Sequence, residues 1–274
     1  MISVPPSSLS SDVEFLLTKE ARRFAELCDT VRRYRYIGLC YGPPGVGKTL
    51  SARHYAQWGA LEPRLREWYW AKAPAPALLT QATIVYTPTV VNAPTTIEKH
   101  LRFLCQSLTW AIDEAVYPDD ERSRQRPDHN RTELIIVDEA DRLKMQSLEQ
   151  LRDLYDRSNV GLILIGMPGI EKQLARYPQL YSRVGFVHQY RTLSAEEMQF
   201  ILAHKWERLG LTLAPDDFTD AEAMAAIARV TGGNFRLIQR LFTQIERILQ
   251  INELGLITKE VVETARENLV IGPL

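Results

Sequence analysis

Eight consecutive residues, Gly42-Pro43-Pro44-Gly45-Val46-Gly47-Lys48-Thr49, fit without a mismatch a pattern of glycine, four residues, glycine, lysine and a hydroxyl side chain. The glycines let backbone N–H groups turn inward and approach anionic oxygens where a Cβ would collide. Lys48 adds a point charge suited to the β and γ phosphates of a nucleoside triphosphate. The Thr49 hydroxyl is a ligand for Mg²⁺ at a helix start whose dipole favours anions. Together with Leu50 these residues are the expected nucleotide-binding set; the bland alternative is a Gly/Pro turn followed by an accidental Lys-Thr.

A second signal lies about ninety residues downstream, where the aliphatic run Leu134-Ile135-Ile136-Val137 ends in Asp138-Glu139. A strand buried on both faces would deliver these two carboxylates at its C-terminal end, the rim where α/β sheets bind ligands. Standing alone, the pair could merely cap the next helix. Coupled to the phosphate-binding pattern, Asp138 is expected in the Mg²⁺ shell and Glu139 as the base that orients and deprotonates a water.

These groups need elements to position them. Tyr36 to Tyr41 reads as a strand directly before the glycine loop, and Leu50 to Trp58, free of Gly and Pro, as the helix after it. Thr83 to Thr87, Leu134 to Val137, Val160 to Ile165 and Phe186 to Tyr190 are the further strands. Helices are expected from Asp12 to Arg35, from about Thr96, which can cap it, to Val116, and from about Met145 to Arg157. The first twelve residues read as a Ser/Pro-rich arm. Beyond Leu193 the pattern turns wholly helical, over Ser194 to Leu209, Asp220 to Val230, Asn234 to Gln250 and Thr258 to Leu269. Ser194 with Glu197 makes a capping box at that boundary. The expected organisation is an arm over 1–12, an α/β domain over 13–192 and a helical lid over 193–274.

With 274 residues, 45% of them hydrophobic, the chain can build one large core and a smaller companion. A net charge of −1 gives no bulk basic field, so polyanion binding must come from local patches. A candidate for DNA or subunit contact is the Lys19, Arg22, Arg23, Arg32, Arg33 and Arg35 face of the first helix, which could equally be solvated surface, whereas Arg122, Arg124, Arg126 and Arg131 fall in an exposed loop of mixed charge. Trp68-Tyr69-Trp70, between Arg66 and Lys72, could stack on bases or simply pack a loop down. Cys28, Cys40 and Cys105 are odd in number and widely spaced, which points to buried thiols in a reducing compartment. No apolar run approaches membrane-spanning length, and a cytoplasmic location is expected.

The motifs at 42–49 and 134–141 (Leu-Ile-Ile-Val-Asp-Glu-Ala-Asp) resemble those of AAA+ ATPases. That resemblance implies a P-loop fold with a five-stranded parallel sheet flanked by helices, plus a small C-terminal all-helical lid. It implies ATP and Mg²⁺ as cofactors. Arg183, in Leu180-Tyr181-Ser182-Arg183, lies where the family places a finger acting in trans, with Arg176 and Arg191 as nearby competitors. Arg236, in Gly232-Gly233-Asn234-Phe235-Arg236, matches the lid arginine that reaches its own subunit's nucleotide, with Arg240 as the fallback. One departure is Ile165-Gly166-Met167-Pro168, where the family usually ends its fourth strand in a polar sensor; hydrolysis is therefore expected to be slow.

Asp138 to Leu143, Leu164 to Gly169 and Tyr177 to Arg183 are further similar to the TnsC, TniB and MuB group of transposition ATPases. The similarity implies a DNA-stimulated ATPase that oligomerises on double-stranded target DNA, as a ring or helix, and recruits or activates a DDE transposase with a target-selector protein. The loop and helix start after the second strand would contact DNA, offering Asn92, Thr95, Thr96 and Lys99. The competing readings are a DNA-independent, secretion-linked assembly ATPase and an ATPase close to IstB or a helicase loader.

Overall fold

A computed structural model of the chain describes residues 15–66, 75–117 and 129–269. Five strands, β1 (Ile37–Tyr41), β2 (Thr83–Tyr86), β3 (Leu134–Val137), β4 (Gly161–Gly166) and β5 (Val184–Gln189), form one sheet in the order β2-β3-β4-β1-β5. All pairings are parallel. Every residue of β2, β3 and β4 is buried, as the unbroken apolar runs require of strands covered on both faces. β5 is different: it alternates half-buried and exposed residues, and Val187 is 60% exposed at this edge.

Eleven α-helices occur among the described residues: α1 (Lys19–Tyr34), α2 (Lys48–Tyr55), α3 (Trp58–Arg66), α4 (Pro94–Val116), α5 (Met145–Arg157), α6 (Ile170–Ala175), α7 (Pro178–Tyr181), α8 (Ala195–Arg208), α9 (Phe218–Thr231), α10 (Phe235–Ile251) and α11 (Lys259–Glu267). One apolar cluster runs from Phe24 through the five strands to Tyr190. A separate cluster, Met198 to Ala265, joins α8 to α11. Leu16, Leu50 and Leu193 pack against the second cluster, so the phosphate-loop helix and the segment before α1 both touch the helical part.

Local chemistry explains several element boundaries. The Ser194 hydroxyl accepts from the Glu197 N–H at 3.3 Å while the Glu197 carboxylate accepts from the Ser194 N–H at 3.0 Å, the expected capping box. Glu197 also accepts from the Lys19 N–H at 2.7 Å, so the first turn of α8 holds the first turn of α1. Thr18 caps α1, which therefore starts at Lys19 rather than at Asp12, and Phe15 lies outside it, stacked on His54 at 3.7 Å. The helix after the phosphate loop is broken at Gln57, whose φ of 48° is left-handed, so Trp58 opens a second helix. α4 starts two residues earlier than Thr96, because Pro94 fits the first helical position, where its missing N–H costs nothing.

The expected arm over 1–12, Trp68-Tyr69-Trp70 and Arg122, Arg124 and Arg126 lie outside the described residues. Most of the basic face of α1 is spent within the chain: Lys19 pairs with Glu196, Arg23 with Glu20, and Arg32 and Arg35 with Glu133. Arg131 is likewise paired with Asp113. Among the described residues no helix is long and apolar enough to cross a membrane, and no His, Cys, Asp and Glu group could hold a metal by itself.

Candidate functional site

The glycine loop joins the C-terminal end of β1 to the start of α2, at the edge where β3 and β4 also end. Gly45 has a φ of 80°, and a Cβ there would stand 2.6 Å from the Asn234 amide oxygen. Gly42 passes so close to the carbonyl of Tyr190 that a Cβ would overlap it at 2.0 Å. Both glycines are thus required by neighbours that close the loop from outside, and Gly45 by its turn as well.

A cleft of about 620 Å³ opens above the loop. It is lined by Gly45, Gly47, Lys48, Thr49 and Leu50 on one wall, Asp138 and Glu139 on another, and Arg236 and Arg240 on a third. Lys48 is buried; its ammonium donates to the carbonyls of Gly42 at 2.6 Å and Pro43 at 2.8 Å. Burial holds its pKa below the ordinary lysine value, partly offset by the Asp138 and Asp141 carboxylates. An arriving anion would favour the charged form that burial disfavours.

The Thr49 hydroxyl donates to Asp138 Oδ2 at 2.8 Å, while Asp138 Oδ1 accepts from the Glu139 N–H at 3.0 Å. A hydroxyl and a carboxylate oxygen at that separation fit a hard divalent cation such as Mg²⁺, which takes oxygen ligands and retains waters. Glu139 follows with a φ of 53°, a left-handed conformation that costs a non-glycine residue roughly 1–2 kcal/mol. That turn swings its half-exposed carboxylate out of line with β3, and it pairs with Arg142 at 2.5 Å.

The third wall comes from about 190 residues away. The Asn234 amide donates to the Pro44 carbonyl at 2.7 Å, and the Arg236 N–H to the Gly45 carbonyl at 2.9 Å. The start of α10 is therefore bonded directly to the phosphate loop, and its side chains Arg236 and Arg240 both face the cleft. Asn234 carries a double duty, since its amide oxygen also caps α10 by accepting from the Leu237 N–H. Only its capping role is visible in a sequence.

Tyr190 is the other residue that sequence reasoning missed. It sits buried under the loop, its hydroxyl 2.9 Å from Ser51 Oγ and its ring beside Gly47. Where a polar sensor would end β4, the chain has Gly166 and Met167, both lining the cleft. The Asp141 carboxylate occupies the space beside them and accepts from the Met167 N–H at 3.2 Å.

Arg183 stands apart from this cleft. Its carbonyl accepts from the N–H of Ile37, the first residue of β1, whereas the glycine loop follows the last. At about 3.3 Å per residue, the five-residue strand puts roughly 15 Å between them. Its guanidinium grips Asp156 through Nε at 2.6 Å and Nη2 at 2.8 Å. Of its competitors, Arg176 is an exposed cap of α6, and Arg191 follows β5 at the loop end, its N–H on Glu20.

Among the expected DNA contacts, Thr95 and Lys99 are exposed and Thr96 is half-buried on the first turns of α4. Asn92 is not available: it is 8% exposed, and its amide donates to the carbonyls of Thr89 and Arg142 while accepting from Ser147. The residue reads as polar loop in a sequence, but two of its partners, Arg142 and Ser147, lie 50 and 55 positions away. Beside it Val90 and Val91 are 82% and 84% exposed. The cysteines carry no chemistry in the cleft: Cys28 and Cys40 are buried thiols raised by burial, and Cys105 is pushed up to about 11.

Comparison with known proteins places these features beside a family, two relatives and two solved structures. Residues 31–174 match a family described as AAA domain. A Staphylococcus aureus protein called a potential ATP-binding protein is 47% identical, over 96% of this chain and 99% of that one. The Mu-like prophage FluMu DNA transposition protein B of Haemophilus influenzae is 24% identical, over 83% of this chain and 71% of that one. Among solved structures, the Thermotoga maritima RuvB Holliday junction branch migration motor superposes with a TM-score of 0.59 at 17% identity, over 92% of this chain and 70% of that chain. The Aeropyrum pernix ORC2 protein gives 0.54 at 16% identity, over 94% and 70%. These structural likenesses extend the shared fold across both the sheet and the C-terminal helices.

Proposed function

The chain belongs to the AAA domain family, and on that premise we propose that it is an Mg²⁺-dependent ATPase that assembles on duplex DNA and regulates DNA transposition. The observation that carries the ATPase part is the convergence in one cleft of Lys48, the Thr49–Asp138 pair, Glu139 and the two arginines of α10. The transposition part is supported by the likeness to the Haemophilus influenzae transposition protein B and by the motifs that resemble its group.

In this reading the glycine loop N–H groups and Lys48 hold the triphosphate, with the Lys48 ammonium leaving the carbonyls of Gly42 and Pro43 for the β and γ oxygens. Thr49 and Asp138 would hold Mg²⁺, whose chemistry is to neutralise charge on those oxygens. Glu139 orients a water and takes its proton as the water oxygen attacks γ-phosphorus; the bond to the bridging oxygen breaks, giving ADP and phosphate. Arg236, bonded to the loop through its own N–H, reports the nucleotide to the lid. Arg183, too far from its own cleft, acts on a neighbour's, so hydrolysis needs a second copy. A target selector and a DDE transposase would then read the assembled form, and Thr95, Thr96 and Lys99 are the proposed DNA-facing groups.

The test is one preparation read two ways. ATP hydrolysis is measured with and without duplex DNA at low salt, and the same mixture with a slowly hydrolysed analogue is imaged. Turnover that rises with DNA, together with nucleotide-dependent rings or filaments on it, is expected. A protein that binds ATP but ignores duplex at low salt would sink the DNA part and leave the ATPase part standing.

A further inference from the structure

We propose that Asp156 is a positioning residue for hydrolysis, one that sets the Arg183 guanidinium at the angle from which it engages the γ-phosphate bound by a neighbouring copy. The inference rests on the reading of Arg183 as the group that acts in trans. Asp156 lies near the end of α5, 27 residues before Arg183, and both of its oxygens are engaged by that one guanidinium.

The edge that is engaged decides the role. Asp156 takes Nε–H and one Nη2–H, and the Gln179 carbonyl takes one Nη1–H. A guanidinium has five N–H donors, so one remains on each terminal nitrogen. Those two are left for phosphate oxygens, and the carboxylate does not bridge the Nη1–Nη2 end. A carboxylate that withheld the arginine would be expected to cover that end; this one covers the side.

The carboxylate is itself held, since Arg152 on the preceding turn of α5 donates to it and to Glu149. A freely rotating arginine would lose side-chain entropy on engagement. Here much of that ordering is done before a neighbour arrives. The surroundings suit a second copy, because Arg183 keeps 32% of its side chain exposed and Tyr181, two residues before it, is 50% exposed.

The experiment is steady-state ATP hydrolysis by the full chain on duplex DNA, comparing Asp156→Asn, Asp156→Glu, Arg183→Ala and the double variant Asp156→Asn/Arg183→Ala. Misplacing a positioned group by an ångström or so costs up to about a hundredfold. Asp156→Asn is therefore expected to lower kcat by about tenfold to a hundredfold, with KM for ATP within about twofold and assembly intact. Asp156→Glu, which keeps the charge, should lose less, and the asparagine should cost nothing further once Arg183 is alanine.

A normal or faster kcat for Asp156→Asn, beside a crippled Arg183→Ala, overturns the inference while the arginine's own role stands. An equal further loss in the Arg183→Ala background also overturns it, because the role would then be structural. If Arg183→Ala hydrolyses normally, the arginine's role and the inference fall together.

Discussion

The two ends of the central sheet are built on opposite plans. At the C-terminal end, Lys48 and Thr49 come from the start of α2 and Asp138 and Glu139 from the end of β3 of the same chain, and the start of α10 is bonded to the glycine loop beside them. At the N-terminal end, Arg183 has its carboxylate partner, and it does not line the cleft of its own chain. The first end gathers its groups within one chain; in the proposed function the second acts on another copy. In a protein so divided, binding a nucleotide and using it are separable. Substitutions at the two ends should separate them.

The largest expected effect is at the second end. Arg183→Ala should lower DNA-stimulated turnover by about 10³-fold or more, the range seen for arginines that reach a neighbour's γ-phosphate. Nucleotide affinity of the dispersed protein, measured by fluorescence titration of a labelled ATP analogue, should stay within about twofold. A parallel loss of affinity would mean that the two ends are not independent. Next is Glu139→Gln at the first end, expected to cost about 10²–10⁴ in kcat while ATP binding persists, because a base is lost and the cradle is not. Sedimentation should then show assemblies that outlive those of the unaltered chain.

How much of this was legible in the sequence follows the range of the interactions. The glycine loop, the acidic pair and the strand runs are local, and the glycine, aliphatic and carboxylate residues declared their places directly. The break at Gln57 has no local cue, since a left-handed glutamine leaves no mark in composition. Tyr190 beneath the loop and Asp156 on Arg183 depend on contacts across the fold, and a residue's type does not announce a distant partner.

Asn92 shows the same limit with a measurable consequence. A polar residue after β2 invites a reading as a DNA contact, whereas its amide is buried and ties the loop to the Arg142 carbonyl and to Ser147. Asn92→Ala should remove the hydrogen bonds that the buried Asn92 amide makes with Thr89, Arg142 and Ser147 and cost about 1–3 kcal/mol of stability in urea unfolding. A change in duplex affinity with stability untouched would restore the DNA reading and detach this loop from the cleft.

The smallest effect tests whether the distant end is paired in solution at all. The hydrogen bond from Arg183, then the nearby charges of Arg183 and Arg152, hold the Asp156 carboxyl below its ordinary value. A carboxylate with a lowered pKa in the folded chain binds fewer protons there than when unfolded. Its stabilising share is therefore full above the unfolded value of about 4 and is lost as pH falls through the lowered folded value. Because the pair is partly exposed, that share is small. The difference in Tm between the unaltered chain and Asp156→Asn should thus be constant from about pH 7 to pH 5 and close only below about pH 4. A difference that stays open well below pH 4 would mean that the carboxylate binds protons alike in the folded and the unfolded chain, with Arg183 turned away from it.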